Sequence, residues 1–342
     1  MIIFTGVYRK FMISFEKIEK VLIIRLSSLG DILLTTPIVR SIKNKYPQVK
    51  IDFLLKPQFS DVYNFNPNIN KIMLYNVIEP SKTQSEILKS DYDLIIDLQS
   101  NIRTFFLLRS IKAKKLKFKK PSLKKYLLVN TKINLFREIK SIPLLYSKVI
   151  GDEFLDEEGL EIYNNKGRIN CLPQTNNVIG FCPGAKHFTK RWLSEYFIQL
   201  GNMLADEGFV IYLLGGNLER ELCANLNSKI KNSVNCSTEN DLILTAEKMA
   251  NCQLIVTNDS ALMHVASSIK IPIVAIFGSS VREFGFAPYN VENTIAEIQN
   301  LSCRPCSHVG KDKCPKGHFD CMREIKPEMI YEKIKTLIKK NE

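Results

Sequence analysis

Two stretches of this chain hold the residue types that group transfer needs, each where an apolar run gives way to a helix. The first runs from Val21 to Leu26 and continues Ser27-Ser-Leu-Gly-Asp31. The second runs from Leu254 to Thr257 and continues Asn258-Asp259-Ser260, with His264 five residues beyond Asp259. A helix start offers free backbone N–H groups and a partial positive charge, which suit a phosphate or a reacting oxygen. A carboxylate such as Asp31, at the C-terminal edge of a sheet, can take the proton of an acceptor hydroxyl. The same residue can equally serve as a helix cap, and the dipole lowers its pKa. Ser27 and Ser28 bring hydroxyl groups, and Gly30 lets a ligand approach the backbone. In the second turn, Asp259 or Ser260 can cap the helix while its free N–H groups face a diphosphate. His264 can donate to a phosphate or a sugar hydroxyl, or be a satisfied structural histidine.

More polar residues fall at the ends of neighbouring apolar runs. Lys186, Lys190 and Arg191 follow the Pro183-Gly184 turn and precede Trp192. Cations at a cleft mouth can neutralise a departing diphosphate. Glu219 lies just past Gly215-Gly216, where an acidic residue can hold ribose hydroxyls or simply complement a helix dipole. Phe277-Gly278-Ser279-Ser280 offers a further loop at the same edge. Cys303, Cys306, Cys314 and Cys321 fall within nineteen residues, with His308 and His318 among them. Four thiols so spaced can hold a structural zinc ion, less readily an iron–sulfur cluster, or remain reduced and bare. No G-x-G-x-x-G, Walker or H-E-x-x-H motif is present, which weighs against a dehydrogenase or a P-loop ATPase.

These turns need strands and helices to hold them, and the spacing predicts both. Val21–Leu26, Val49–Leu55 and Tyr92–Leu98 read as buried strands, and 32–45 as one helix. Val178–Cys182, Phe209–Leu214, Leu254–Thr257 and Ile271–Phe277 read as strands of a second unit. Helices follow at 194–207, from Glu219, and at 261–268. Alternating strands and helices imply parallel sheets covered on both faces. The polar stretch 164–177, with Gly167 and Pro173, is the expected boundary. The predicted layout is an extension at 1–20, one α/β domain at 21–165 and a second at 175–325. A C-terminal helix at 326–342 is expected to pack back on the first domain.

The 342 residues suit two domains, and 45 % hydrophobic content is ordinary for a globular chain. No apolar run is long enough to span a bilayer, and Met1–Met12 does not read as a secretory signal. Nine cysteines, several inside predicted elements, favour a reducing cytoplasm. The net charge of +13 is lopsided: residues 1–160 hold 27 Lys and Arg against 16 Asp and Glu. Eight lysines crowd the segment from Lys112 to Lys125. Such a run attracts acidic lipid, nucleic acid or a phosphorylated substrate, or is merely solvated surface. Interleaved Leu116, Phe118, Leu123, Tyr126, Leu127 and Leu128 suit a membrane-surface face. No aromatic–basic nucleic-acid recognition motif is present, so nucleic acid is not an expected partner.

Five separated motifs, in order, resemble the heptosyltransferase family of glycosyltransferases, which builds the lipopolysaccharide inner core from ADP-heptose. They are Ile24-Arg-Leu-Ser-Ser-Leu-Gly-Asp31; Tyr92-Asp-Leu-Ile-Ile-Asp-Leu-Gln99 with Arg103; Pro183-Gly-Ala with Lys190-Arg-Trp192; Leu214-Gly-Gly with Glu219; and Thr257-Asn-Asp-Ser-Ala-Leu-Met-His264. The tail 303–321 is similar to one common in that family. The resemblance implies a GT-B architecture, two Rossmann-like doubly wound domains facing across a cleft, and an inverting transfer that needs no metal. It makes Asp31 the catalytic base. It assigns the donor to Lys190, Glu219, Asp259, Ser260, His264 and Gly278. With the charge pattern, it assigns a phosphorylated acidic lipid or oligosaccharide acceptor to Ser28, Gly30, Gln99, Arg103, Lys114, Lys115 and Lys117. The expected setting is the cytoplasm, with peripheral contact at the inner membrane face. Ala261 stands where many members have glycine. Residues 1–20 have no recognised counterpart, and no motif encodes heptose itself. A nucleotide-sugar epimerase and a basic nucleic-acid-binding protein are the competing readings. The first would leave the lysine run idle.

Overall fold

The computed structural model describes residues 15–151, 155–171 and 177–341. Most of the extension assigned to 1–20, including Met1–Met12, lies outside the described residues, and so does Pro173 of the boundary stretch.

The N-terminal half runs β1 (Lys20–Ile24), α1 (Leu29–Leu33), α2 (Thr36–Lys45), β2 (Lys50–Leu55), β3 (Lys71–Leu74), α3 (Pro80–Lys89), β4 (Leu94–Asp97), α4 (Ile102–Leu108), β5 (Lys114–Lys117), α5 (Ser122–Thr131) and α6 (Ile142–Ser147). A small hairpin, β6 (Tyr163–Asn164) with β7 (Gly167–Arg168), occupies the expected boundary. The C-terminal half follows as β8 (Val178–Cys182), α7 (Ser194–Asp206), β9 (Val210–Leu213), α8 (Arg220–Asn227), β10 (Ser233–Asn235), α9 (Leu242–Ala250), β11 (Leu254–Asn258), α10 (Ala261–Ser268), β12 (Ile273–Ile276), β13 (Asn293–Ala296), α11 (Asp320–Arg323) and α12 (Pro327–Asn341).

The first sheet has the order β3-β2-β1-β4-β5 and the second β10-β9-β8-β11-β12-β13. All pairings within both sheets are parallel. The central strands are apolar along their length because each sheet is covered on both faces: Val21, Leu22, Ile23 and Ile24 are all buried, as are Ile255 and Val256. In each sheet the order reverses beside the first strand, between β1 and β4 and between β8 and β11. Open α/β sheets bind ligands in the crevice at such points, outside the carboxyl ends of the strands. Both predicted turns lie there, after β1 and after β11. The expected doubly wound, two-domain GT-B layout is the observed one.

Three expectations change. The single helix at 32–45 is two, because Pro37 lies in the first turn of α2 and cannot continue a helix from α1. The lysine run, to which the spacing assigns no element, supplies the outermost strand, β5, and then α5. The C-terminal helix does not return to the first domain. It packs on α7 and β13, burying Ile330, Ile334 and Leu337 in the second domain's core. Among the described residues no helix is long and apolar enough to cross a membrane. All nine cysteines are free.

Candidate active site

The β1–α1 turn is held from below. Gln99, just past β4, accepts from Leu26 N at 3.0 Å and Ser27 N at 3.4 Å. Arg25, the residue after β1, is buried and donates to Leu98 O at 2.9 Å. Its other guanidinium nitrogen lies 2.6 Å from Asp31 Oδ1. Asp31 Oδ2 accepts from Ser28 N at 3.1 Å and from Ser28 Oγ at 2.7 Å, a capping box across the first turn of α1. Burial alone would raise the Asp31 pKa. The Arg25 charge and the Ser28 hydrogen bonds outweigh it, and the carboxyl is held below its ordinary range. Asp31 is therefore a helix-capping carboxylate and an ionised group, with 18 % of its side chain exposed.

The second edge is built on Asn258, at the end of β11. Its wholly buried amide accepts from Trp192 N at 3.0 Å and donates to Pro183 O at 2.7 Å, tying the loop after β8 to β11. Asp259 follows and is nearly buried. Lys190 Nζ lies 2.7 Å from its Oδ2, and Ser280 Oγ donates to the same oxygen. Ser260 then begins α10 without capping it: Ser260 Oγ is buried and has no partner. His264 Nδ1, on the same helix, is also buried without a partner. Burial lowers the His264 pKa to about 4, so the ring is neutral at physiological pH. Buried polar atoms are nearly always paired. Ser260 Oγ and His264 Nδ1 both belong to the first turns of one helix, at its positive end, where a helix offers free N–H groups to an anion.

The two edges meet. A Cβ built on Gly30 would lie 2.6 Å from His264 Cδ2 and 3.6 Å from Ala261 Cα. Gly30 thus serves close approach of α10 to α1, not approach of a ligand to the backbone. Ala261, on the opposite side of that contact, fits it.

More cations surround the crevice than the turns alone supply. Lys125, on α5, stands over the rings of Phe284 (5.5 Å) and Phe286 (5.1 Å) from the second domain. It interacts electrostatically with Asp31, Arg25, Lys120 and Lys190. Burial lowers its pKa to about 8, and no carboxylate among the described residues lies within salt-bridge distance of it. Lys120 is likewise lowered by burial and by Arg25. Arg25 and Lys190 are paired with Asp31 and Asp259; Lys120 and Lys125 are not.

The remaining predicted residues divide. Glu219 sits at the second edge, accepting from Gly216 N at 3.0 Å, with its side chain across Gly184, where a Cβ would fall 2.2 Å from Glu219 Cγ. Gly278 turns away from the crevice: a Cβ there would meet Met322 Cε at 2.5 Å, and its carbonyl accepts from Arg304 Nε. Gln99 supports the turn rather than facing the crevice. Arg103 is exposed on α4. Lys114 opens β5 at the end of the sheet remote from the crevice, Lys115 Nζ donates to Ile111 O, and Lys117 lies over Phe105 at 5.5 Å. Lys120 and Lys125, not these three, reach the site. Phe118 and Leu128, expected at a membrane face, are buried instead.

The four tail cysteines line one small cavity with His318, whose Nε2 lies 3.8 Å from Cys303 Sγ. Burial raises the Cys321 pKa to about 12. Among the described residues no three His, Cys, Asp or Glu side chains are gathered as a metal ion requires. The four thiols are free. Arg304 of the same tail clamps the loop after β12, donating to Ser280 O at 2.8 Å and to Glu297 at 2.6 Å.

Comparison with known proteins bears on this geometry. The sequence profile described as Glycosyltransferase family 9 (heptosyltransferase) matches residues 81–316, more than half of the chain. The chain is 26 % identical to a Lipooligosaccharide heptosyltransferase 2 of Campylobacter jejuni, over 91 % of this chain and 96 % of that protein. In fold it is similar to the glycosyl transferase family 9 protein of Veillonella parvula, with a TM-score of 0.73, 22 % identity and coverage of 94 % and 98 % of the two chains. It is also similar to E. coli ADP-heptose LPS heptosyltransferase II, with a TM-score of 0.69, 19 % identity and coverage of 94 % and 99 %.

Proposed function

This chain belongs to glycosyltransferase family 9, and from that premise we propose that it moves a heptose from ADP-heptose to a hydroxyl of the phosphorylated lipopolysaccharide inner core. The transfer inverts the anomeric centre, and Asp31 is its base. The observation that carries this reading is the contact of α1 with α10. It sets one ionised carboxylate opposite a helix start with two unpartnered polar atoms, Ser260 Oγ and His264 Nδ1.

The donor diphosphate lies on the first turn of α10. Ser260 Oγ and the free N–H groups bind it, with His264 donating as a neutral ring. Lys190 carries the second charge. As the sugar–phosphate bond breaks, negative charge grows on the departing ADP, and Lys190 with the helix dipole stabilises it without help from a cofactor. Glu219 holds the ribose. The acceptor enters over Ser28 and the α1 turn. Asp31 takes its proton as the new bond forms on the opposite face of the sugar. A carboxylate with a depressed pKa is a weak base, so proton transfer is late and the chief role of Asp31 is to orient and polarise the hydroxyl. The heptosyltransferase names of the relatives support the choice of sugar and acceptor. The setting consistent with such a donor is the cytoplasmic side of the membrane.

A panel of nucleotide sugars, read by thermal stabilisation and by release of nucleoside diphosphate, tests the donor. ADP-heptose is expected to give the largest shift. A larger shift with a different nucleotide sugar would reassign the donor. Lys190→Ala is expected to weaken ADP binding by about 10–100-fold, the range of a lost charge-assisted contact. Unchanged affinity by calorimetry would remove Lys190 from the site.

Lys125 gives a pH test. It is charged below about pH 8 and neutral above it. An anionic substrate needs the charged form, so kcat/KM should fall as pH rises through about 8. In Lys125→Met that alkaline limb should be absent. A limb that persists unchanged in the variant would assign it to another group.

A further inference from the structure

Helix α4 presents an apolar face to solvent. Ile102 is 71 % exposed, Phe105 54 % and Phe106 52 %. The two rings touch edge to face at 5.5 Å, and each has a cation against it: Lys117 Nζ lies 5.5 Å from Phe105 and the Arg109 guanidinium 5.8 Å from Phe106. From Arg103 to Lys125 the chain holds ten Lys and Arg and no Asp or Glu. We propose that the exposed face of α4, with Arg109 and Lys117 beside it, is the surface by which this protein docks on an anionic bilayer.

The chemistry of the patch selects this partner. Paired aromatics with cations at their edges suit a lipid interface, where the rings sink among the acyl chains and the cations stay at the phosphates. Arg109 and Lys117 against the rings, in a stretch without a carboxylate, attract an anionic headgroup layer and repel a second copy of this chain. Aromatic rings also stack on nucleobases, but an aliphatic side chain as open as Ile102 gains nothing from a phosphate backbone and much from hydrocarbon. The position fits as well. Four residues separate β4 from α4, and one of them is Gln99, which shapes the Asp31 turn. A bilayer on α4 therefore lies next to the N-terminal rim of the crevice. The biological sense of this surface rests on the lipid-linked acceptor proposed above. Its existence does not, and the test below needs neither donor nor acceptor.

The full chain is sedimented with vesicles of phosphatidylcholine alone and of phosphatidylcholine with about a third phosphatidylglycerol, at low and high salt. Binding to the anionic vesicles only, weakened by salt, is expected. The double variant Phe105→Ser with Phe106→Ser should partition about tenfold less, since two half-buried rings are lost from the lipid. Both side chains are exposed, so its circular dichroism and melting temperature should match the parent. Arg109→Glu with Lys117→Glu is a separate probe and should lose the preference for anionic lipid. The proposal fails if the parent ignores anionic vesicles, or if the double Phe variant sediments as the parent does. It also fails if the Phe changes abolish binding of a single-stranded RNA, or self-association, while vesicle binding is untouched.

Discussion

Asp31→Asn is expected to lower kcat by about 10²–10⁴-fold, the usual worth of a positioned acid or base, while ADP affinity stays within about twofold. The amide keeps the shape of the side chain and can still accept from Ser28, so the capping box survives in part. It cannot take a proton. It also leaves the Arg25 guanidinium, buried and 2.6 Å away, without its counter-charge. Some loss of stability must accompany the loss of rate, and the two separate cleanly. A capping role alone predicts that Asp31→Asn recovers parental kcat at low temperature, where the fold is intact. The base role predicts a deficit that does not recover. Isothermal titration with ADP against initial rates at two temperatures decides between them. A variant that turns over normally, or one that no longer binds ADP, would remove Asp31 from the acceptor side of the reaction.

The second large effect is remote from the chemistry. Arg40, on α2, donates to Asp156 at 2.5 and 2.8 Å, to Glu161 at 2.6 Å and to Gly159 O at 2.8 Å. Glu161 is wholly buried and also accepts from Asn66 at 3.0 Å. This cluster fastens the segment that leaves the first domain onto α2. Arg40→Ala should cost about 3–5 kcal/mol, because Glu161 is left as a buried charge without its counter-charge. Arg40→Met with Glu161→Met should cost less than the sum of the single changes, since the charge left, Asp156, is partly exposed and the wholly buried one is gone. Urea unfolding followed by fluorescence measures both. An Arg40→Ala variant with parental stability would show that the cluster is only decoration. The linkage has a sign. Burial raises the Asp156 pKa, but the bonds from Arg40 outweigh it and the folded value lies below the ordinary one. Its contribution is complete above about pH 4, the unfolded value, and is lost as pH falls through the depressed folded one.

Much of this was legible in the sequence, and what was not has identifiable causes. Helix α10 is read at its observed bounds because Asn-Asp-Ser announces its start and the apolar run before it is unbroken. The break at Pro37 was legible in principle, but the apolar spacing from Ile32 to Ile42 runs straight through it. Strand β5 was missed because Lys-Lys-Leu-Lys carries almost no hydrophobic signal; its place is set by β4 beside it. The site residues that escaped notice act across long sequence separations. Arg25 reads as the end of a strand, Asn258 as one more polar residue before a helix, and Lys125 as the last of a lysine run. Nothing local says that Lys125 will stand over Phe284 and Phe286, more than a hundred residues away. Gly30 reads as an opening for a ligand, and Gly278 as part of a loop at the same edge. Glycine marks close approach, but not of what, and here the neighbours are His264 and Met322.

The same Lys-Lys-Leu-Lys strand has a bearing on how the molecule behaves in a crowd. It closes the first sheet on one flank, and an outermost strand shows a row of unused N–H and C=O groups that invite a stranger's backbone. With lysines along it, any two molecules approaching flank to flank bring like charges together before their backbones can zip. The residues that resist a local reading of structure are thus the ones that keep this parallel sheet from growing into a fibre.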